Sequence, residues 1–275
     1  MNYRFTCNWT DDFSLRERLL RTFFKPAGMN LVVEESHDVL IAINQDAMLS
    51  QIPHYTPTNT YCFTMEPSWS PNLRLDSKSF NRIYTHVEGR WPNAVNIPTM
   101  LPYQLLESKE ELIRSTPLKT KKLSFVVSMK RGNKMYAFRL ALALKLLKTS
   151  LDFDLYGHGW PVGLDVRIKG PVSSKSQALA AYAYSICIEN SREKNYVTDK
   201  ITDCFLTGTI PIYLGCPNIQ DIYDERSYHR LDPDRAVSCI ESILQSNTRK
   251  YAYIARDQCF SDDDLLGFVA KKTIR

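Results

Sequence analysis

The sequence predicts an α/β protein built from two domains, and three observations carry that reading. Short apolar, β-branched runs alternate almost throughout with segments whose apolar residues recur at helical spacing. That is the pattern of strands joined by right-handed helical crossovers into parallel sheets. The alternation lapses at 116–122 (TPLKTKK), a stretch of Pro, Thr and Lys without periodicity, and then restarts more strongly. The 275 residues suffice for two domains of moderate size. The division implied is 1–116 and 117–275, with ligands expected at the carboxyl ends of strands, in the cleft between the two.

In the first domain 3–9 reads as a strand and 14–24 (SLRERLLRTFF) as an amphipathic helix capped by Asp12 or Ser14. Residues 31–33 and 39–43 are short apolar strands. The run 60–65 (TYCFTM) is another and ends at Glu66-Pro67; 82–86 and 94–97 follow, and 105–113 (LLESKEELI) reads as a helix. In the second domain 123–128 (LSFVVS) is a buried strand, 135–147 a helix, and 153–156 a strand running into Gly157-His158-Gly159-Trp160. A helix is expected over 176–184, a strand over 185–188, a helix over 198–206 and a strand over 209–214. From Pro233 on the chain reads as helices, the last capped by Asp262-Asp263-Asp264.

With 44% apolar and 24% charged residues the chain has an ordinary globular composition. A net charge of +5 suits either a mildly basic surface or a cleft that attracts an anion, and is too small and dispersed to indicate nucleic acid. The seven cysteines are odd in number, form no CxxC pair and sit largely in apolar runs. They read as free buried thiols of a reducing compartment, and the scattered histidines supply no zinc site. MNYRFTCNWTDDF has no apolar signal-peptide core, and no apolar run is long enough to span a bilayer; a cytoplasmic protein is expected.

The most informative stretch is 185–217, SICIENSREKNYVTDKITDCFLTGTIPIYLGCP, which packs strand, polar loop, helix start and second strand into one phosphate-binding-sized unit. Thr198 is placed to cap a helix whose free N–H groups suit a phosphate. Lys200 in the first turn is mildly unfavourable toward the helix dipole, which points to a ligand. Asp199 is a favourable first-turn acid in any case. Tyr196 either packs over a nucleotide or covers the helix start. Glu189 and Asn190 follow a buried strand, where they line a ligand edge or cap the loop. Glu66, held extended by Pro67, is a general base or a solvated carboxylate. The basic loop 129–134 (MKRGNK) suits a pyrophosphate or is a solvated turn.

Taken together, FVVS (125–128), DLYGHGW (154–160), IENS (188–191), NYVTDKI (195–201) and GTIPIYLG (208–215) resemble the α-1,3/4-fucosyltransferase family in order and spacing; YCFTMEPSWSPN (61–72) is similar less closely. The resemblance implies an inverting glycosyltransferase with two Rossmann-like domains, the GT-B architecture, the first facing the acceptor and the second binding the nucleotide sugar. It implies GDP-fucose as donor and a glycan hydroxyl as acceptor, hence a part in glycan biosynthesis and protein glycosylation. Glu66 would be the general base, and Tyr196 and Lys200 would meet the donor phosphates. Asp199 stands where the family has a glutamate toward the nucleotide ribose or sugar, while Glu189, Asn190 and Thr198 line the same site. For the family's arginine beside the pyrophosphate, Arg131, Lys134 and Arg139 compete, and Arg131 is preferred on position. No cofactor or metal site is expected, with stimulation by a divalent cation left open. Alternatives are another GDP- or UDP-sugar, which Asp199 permits, and a non-catalytic nucleotide- or sugar-binding relative.

Overall fold

The structure is a computed structural model that describes residues 1–23, 25–33, 36–99, 104–246, 250–259 and 264–273. It divides into two compact units, Met1–Pro102 with Phe260–Arg275 and Tyr103–Cys259, which differs from a division at 116 in returning the end of the chain to the first unit.

The first unit is a six-stranded parallel sheet of β1 (Asn2–Cys7), β2 (Asn30–Val32), β3 (Val39–Ile43), β4 (Thr60–Phe63), β5 (Arg82–Thr85) and β6 (Ala94–Asn96), in the order β2-β1-β3-β4-β5-β6. Strand β3 shows why the sheet is sandwiched. Val39, Ile41 and Ile43 enter one apolar cluster while Leu40 and Ala42 enter another, so both faces are covered. Helix α1 (Asp12–Thr22) is capped by Asp11, whose carboxylate accepts the Ser14 N–H at 2.8 Å, one residue before the earlier of the two expected caps.

The reason the chain end belongs here is its final helix, Leu265–Thr273. Leu265, Leu266, Val269 and Ala270 enter the same cluster as Phe5, Ile41 and Phe63, and Phe268 meets Phe63 and Tyr84 edge-on. Of the expected acidic cap, Asp262 and Asp263 lie outside the described residues, while Asp264 accepts the Gly267 N–H at 2.9 Å.

The second unit opens with α2 (Lys109–Arg114), shorter than the 105–113 expected because the capping box of Ser108 and Glu111 fixes its start. Its sheet comprises β7 (Lys121–Val126), β8 (Asp154–Tyr156), β9 (Ile168–Gly170), β10 (Tyr182–Ile188), β11 (Ile210–Leu214) and β12 (His229–Arg230), all parallel, in the order β12-β11-β10-β7-β8-β9. The short strands β9 and β12 carry no sequence signal of their own; they are strands because a neighbour's edge is there to pair with.

Around this sheet lie α3 (Lys134–Leu147), α4 (Ser176–Leu179), α5 (Asp199–Leu206), α6 (Ala236–Gln245) and α7 (Ala252–Cys259). The helix expected over 176–184 stops at Leu179. Its apolar run fits either period, and pairing decides: Tyr182 and Tyr184 lie opposite Lys121 and Leu123 of β7, so the segment becomes the start of β10. Renumbered from β7, the strand order is the Rossmann order 3-2-1-4-5-6 read backwards. Its switch point lies between β7 and β10, and their carboxyl ends are where a ligand crevice is expected. Among the described residues no helix is long and apolar enough to cross a membrane. All seven cysteines are free thiols, and Cys7, Cys62, Cys187, Cys204 and Cys216 are buried.

Candidate active site

A cavity of about 310 Å³ occupies the switch point of the second sheet. Val126, Val127 and Ser128 bring the end of β7 to it, and Ile186, Cys187 and Ile188 the end of β10; Tyr136 and Arg139 come from α3, and Asp199, Lys200 and Asp203 from α5. The β7 loop is held in place by the GHGW turn. Met129 N–H donates to His158 O at 2.9 Å, His158 N–H to Ser128 Oγ at 3.2 Å, and Trp160 Nε1–H to Val127 O at 2.6 Å. Gly157 is required there. Its φ is +138°, and a Cβ on it would stand 2.2 Å from Val127 O.

The opposite wall is the start of α5. Thr198 is its N-cap, in extended conformation. Glu189, fully buried at the end of β10, accepts the Thr198 N–H at 2.9 Å on Oε1 and the Thr198 O–H at 2.7 Å on Oε2. Lys200 turns back over the cap, its Nζ 2.9 Å from Thr198 Oγ1 and 3.3 Å from Glu189 Oε2. Burial works against the Lys200 charge, but the Glu189 and Asp199 carboxylates outweigh it and hold the pKa above the ordinary lysine value. Tyr196, also buried, donates to Asn190 Oδ1 at 2.8 Å, and Asn133 Nδ2 donates to Asn190 O at 3.1 Å, tying the 190–196 loop to the start of α3.

Arg139 is 7% exposed, stacks its guanidinium 4.6 Å from the Tyr136 ring centre and donates to Ile188 O at 3.4 Å. Its Nε–H has no acceptor among the described residues. Burial chiefly lowers its pKa, countered by Tyr136 and Glu189. A buried guanidinium with an unmet Nε–H donor is suited to an anion. Lys130, Lys175 and Lys200 add three further cations to the lining, against the carboxylates of Asp199 and Asp203.

The residues expected from sequence therefore separate by role. Asp199 and Lys200 line the cavity; Glu189, Asn190, Tyr196 and Thr198 form the scaffold that aims them. Arg131 is exposed in the loop before α3 and does not line the cavity, whereas Arg139, two turns further on, does. Position in the loop favours Arg131, but the helical turn carries Arg139 back over the strand ends. Lys175 and Asp203 escape the sequence reading. The signal available for Asp203 is its i,i+4 spacing from Asp199; Lys175 has none, because only the packing of α4 on α5 brings it near.

Glu66 belongs to the first unit, three residues beyond the end of β4 and half-buried. Its approach is fixed by neighbours: Met65 N–H donates to Asn44 Oδ1 at 2.6 Å, Asn44 having φ +56°, and Thr64 Oγ1 donates to Thr85 Oγ1 at 2.6 Å. The carboxylate thus stands at the carboxyl edge of the first sheet, where α/β units present their reactive groups.

Comparison with known proteins bears on both units. The sequence profile of glycosyltransferase family 10 (fucosyltransferase), C-terminal part, matches residues 116–253. An alpha-(1,3)-fucosyltransferase FucT of Helicobacter pylori is 33% identical over 84 residues, 30% of this chain and 18% of that protein. An alpha-(1,4)-fucosyltransferase of Arabidopsis thaliana is 36% identical over 50 residues, 18% of this chain and 12% of that protein. The matches thus span less than a fifth of these curated relatives. In three dimensions, an α1,3-fucosyltransferase crystallised with GDP-fucose superposes with a TM-score of 0.54 at 20% identity, covering 100% of this chain and 90% of that one. TarM superposes with a TM-score of 0.53 at 10% identity, covering 86% of this chain and 55% of that one. These likenesses establish the fold, two Rossmann-like units of the GT-B class.

Proposed function

This chain belongs to glycosyltransferase family 10, the fucosyltransferases, and from that premise we propose that it transfers fucose from GDP-fucose to a glycan hydroxyl with inversion, as an α-1,3-fucosyltransferase does. The observation that carries the reading is the cationic cavity at the switch point of the second sheet, with Lys200, Arg139 and the Thr198-capped start of α5 converging on it. An anionic diphosphate is the ligand such a site accepts, and GDP is the leaving group of the donor.

In the mechanism, the acceptor oxygen attacks the anomeric carbon of the sugar as the bond to the diphosphate breaks. Glu66 takes the acceptor's proton, and the charge left on GDP is met by Lys200 and Arg139. These fixed cations carry that role from the protein itself, and turnover measured with and without EDTA decides whether a divalent cation adds to it. Asp199 faces the ribose or sugar hydroxyls, with Tyr196, Asn190 and Glu189 holding the helix start in place behind it.

A thermal-shift titration with GDP, GDP-fucose, GDP-mannose and UDP-galactose tests the donor. Stabilisation by GDP and GDP-fucose without a UDP-sugar effect is expected, and no response to any guanine nucleotide overturns the reading. Glu66→Gln tests the base: transfer falls by at least 10²-fold while GDP affinity stays within twofold. Turnover retained in that variant removes Glu66 from the chemistry.

A further inference from the structure

Lys175 lies in the loop just before α4, outside every motif in the second unit, yet its ammonium reaches into the cavity wall. It ion-pairs with the Asp199 carboxylate and, at 2.8 Å, with Asp203 Oδ2. Asp203 is fully buried, and its other oxygen accepts the Gln104 N–H at 2.9 Å. The two carboxylates are one helical turn apart, a spacing at which like charges repel. Without a cation between them one would have to protonate or swing away. The direction in which Asp199 could swing matters, because Lys200 is its neighbour in sequence, and both Lys200 and Arg139 line the same cavity. Lys200 already meets one carboxylate, Glu189 Oε2 at 3.3 Å; a second one paired with it would cancel the charge that an incoming anion needs.

We propose that Lys175 is a positioning residue of this site: by bridging Asp199 and Asp203 it holds the Asp199 carboxylate against the wall, so that Lys200 and Arg139 stay available to a diphosphate. The inference rests on the donor reading above for the identity of the anion, and on geometry alone for the clamp. Asp203 supports it from the other side. Burial raises its pKa to about 6, Lys175 pulls it back down and Asp199 pushes it up, so its ionised form depends on the ammonium beside it. The Cys259 thiol of α7 also senses Asp203; burial raises it to about 12, so it is neutral at ordinary pH.

The test compares the wild-type chain with Lys175→Met, Lys175→Arg, Asp199→Asn and the double variant Lys175→Met/Asp199→Asn. Titration calorimetry with GDP and, separately, with inorganic pyrophosphate reads the anion. Lys175→Met is expected to weaken both about tenfold or more, Lys175→Arg to restore most of the loss, and Lys175→Met to cost less than about twofold once Asp199 is already Asn. An equal loss in both backgrounds overturns positioning, because Lys175 would then act on the anion directly. Wild-type affinity in Lys175→Met overturns the inference while leaving the donor reading standing. Pyrophosphate binding without GDP binding by the wild-type chain does the reverse, and binding of neither anion overturns both.

Melting without ligand tests the clamp itself. An acid whose folded pKa is raised destabilises the fold as pH rises through that value. Lys175→Met should therefore melt roughly 10 °C below wild type at pH 8, with the gap narrowing at pH 5 as Asp203 takes up its proton. A gap independent of pH overturns the clamp.

Discussion

Replacing Thr198 by Val keeps the shape and the stiff β-branched side chain but deletes the hydroxyl on which the cavity wall converges. That hydroxyl donates to the buried Glu189 carboxylate at 2.7 Å and accepts from Lys200 Nζ at 2.9 Å; its contact with the Lys200 N–H, at 3.4 Å, is long and contributes little. Hydrogen bonds to charged groups contribute about 1.5–3 kcal/mol each. The Lys200 side chain is 27% exposed and can recover water, so its share falls at the low end. Glu189 keeps the Thr198 N–H at 2.9 Å, which limits the penalty on the carboxylate. The sum is about 2–4 kcal/mol, or roughly 5–12 °C in melting temperature for a unit of this size. Lys200 keeps its contact with Glu189 but loses the hydroxyl, and the ligand must supply the lost ordering, at about 0.5–1.5 kcal/mol, so GDP affinity falls about two- to tenfold. Urea unfolding followed by circular dichroism and calorimetric titration with GDP measure the two effects, and Thr198→Ser, which retains the hydroxyl, stays within about 1 kcal/mol of wild type. A Thr198→Val loss below about 1 kcal/mol with unchanged GDP affinity refutes the account of the hydroxyl as the hinge between Glu189 and Lys200.

Two further substitutions probe the same wall. Arg139→Met should weaken GDP at least tenfold and Arg131→Ala less than twofold, since only Arg139 is buried in the cavity lining; the opposite ranking in a binding titration would return the pyrophosphate to the loop. Gly157→Ala should cost about 3 kcal/mol or more, because the added Cβ meets backbone at Val127 O, 2.2 Å away, in a turn already at φ +138°; a melting temperature within a degree of wild type would mean the β7 loop yields more easily than its three hydrogen bonds imply.

The sequence by itself determined the alternation of strands and helices, the fold class and, through the motifs of its second half, the family. These are local properties. Period-two and period-3.6 burial is written in consecutive side chains, and Thr198, Asp199 and Lys200 occupy the start of α5 because a capping threonine announces a helix start in the chain itself. Tertiary structure decided the rest. The run at 176–184 satisfied both periods until the edge of β7 offered Tyr182 and Tyr184 a partner. The last helix joined the first sheet because its apolar face found a core there, which nothing in its own residues specifies. Arg139 displaced Arg131 at the cavity because a helix returns a side chain over the strand ends, a matter of direction rather than of distance along the chain. Lys175 became part of the site only when the fold carried it across 24 and 28 residues to two carboxylates, and charge pairing between separate segments is a property of packing that leaves no local trace.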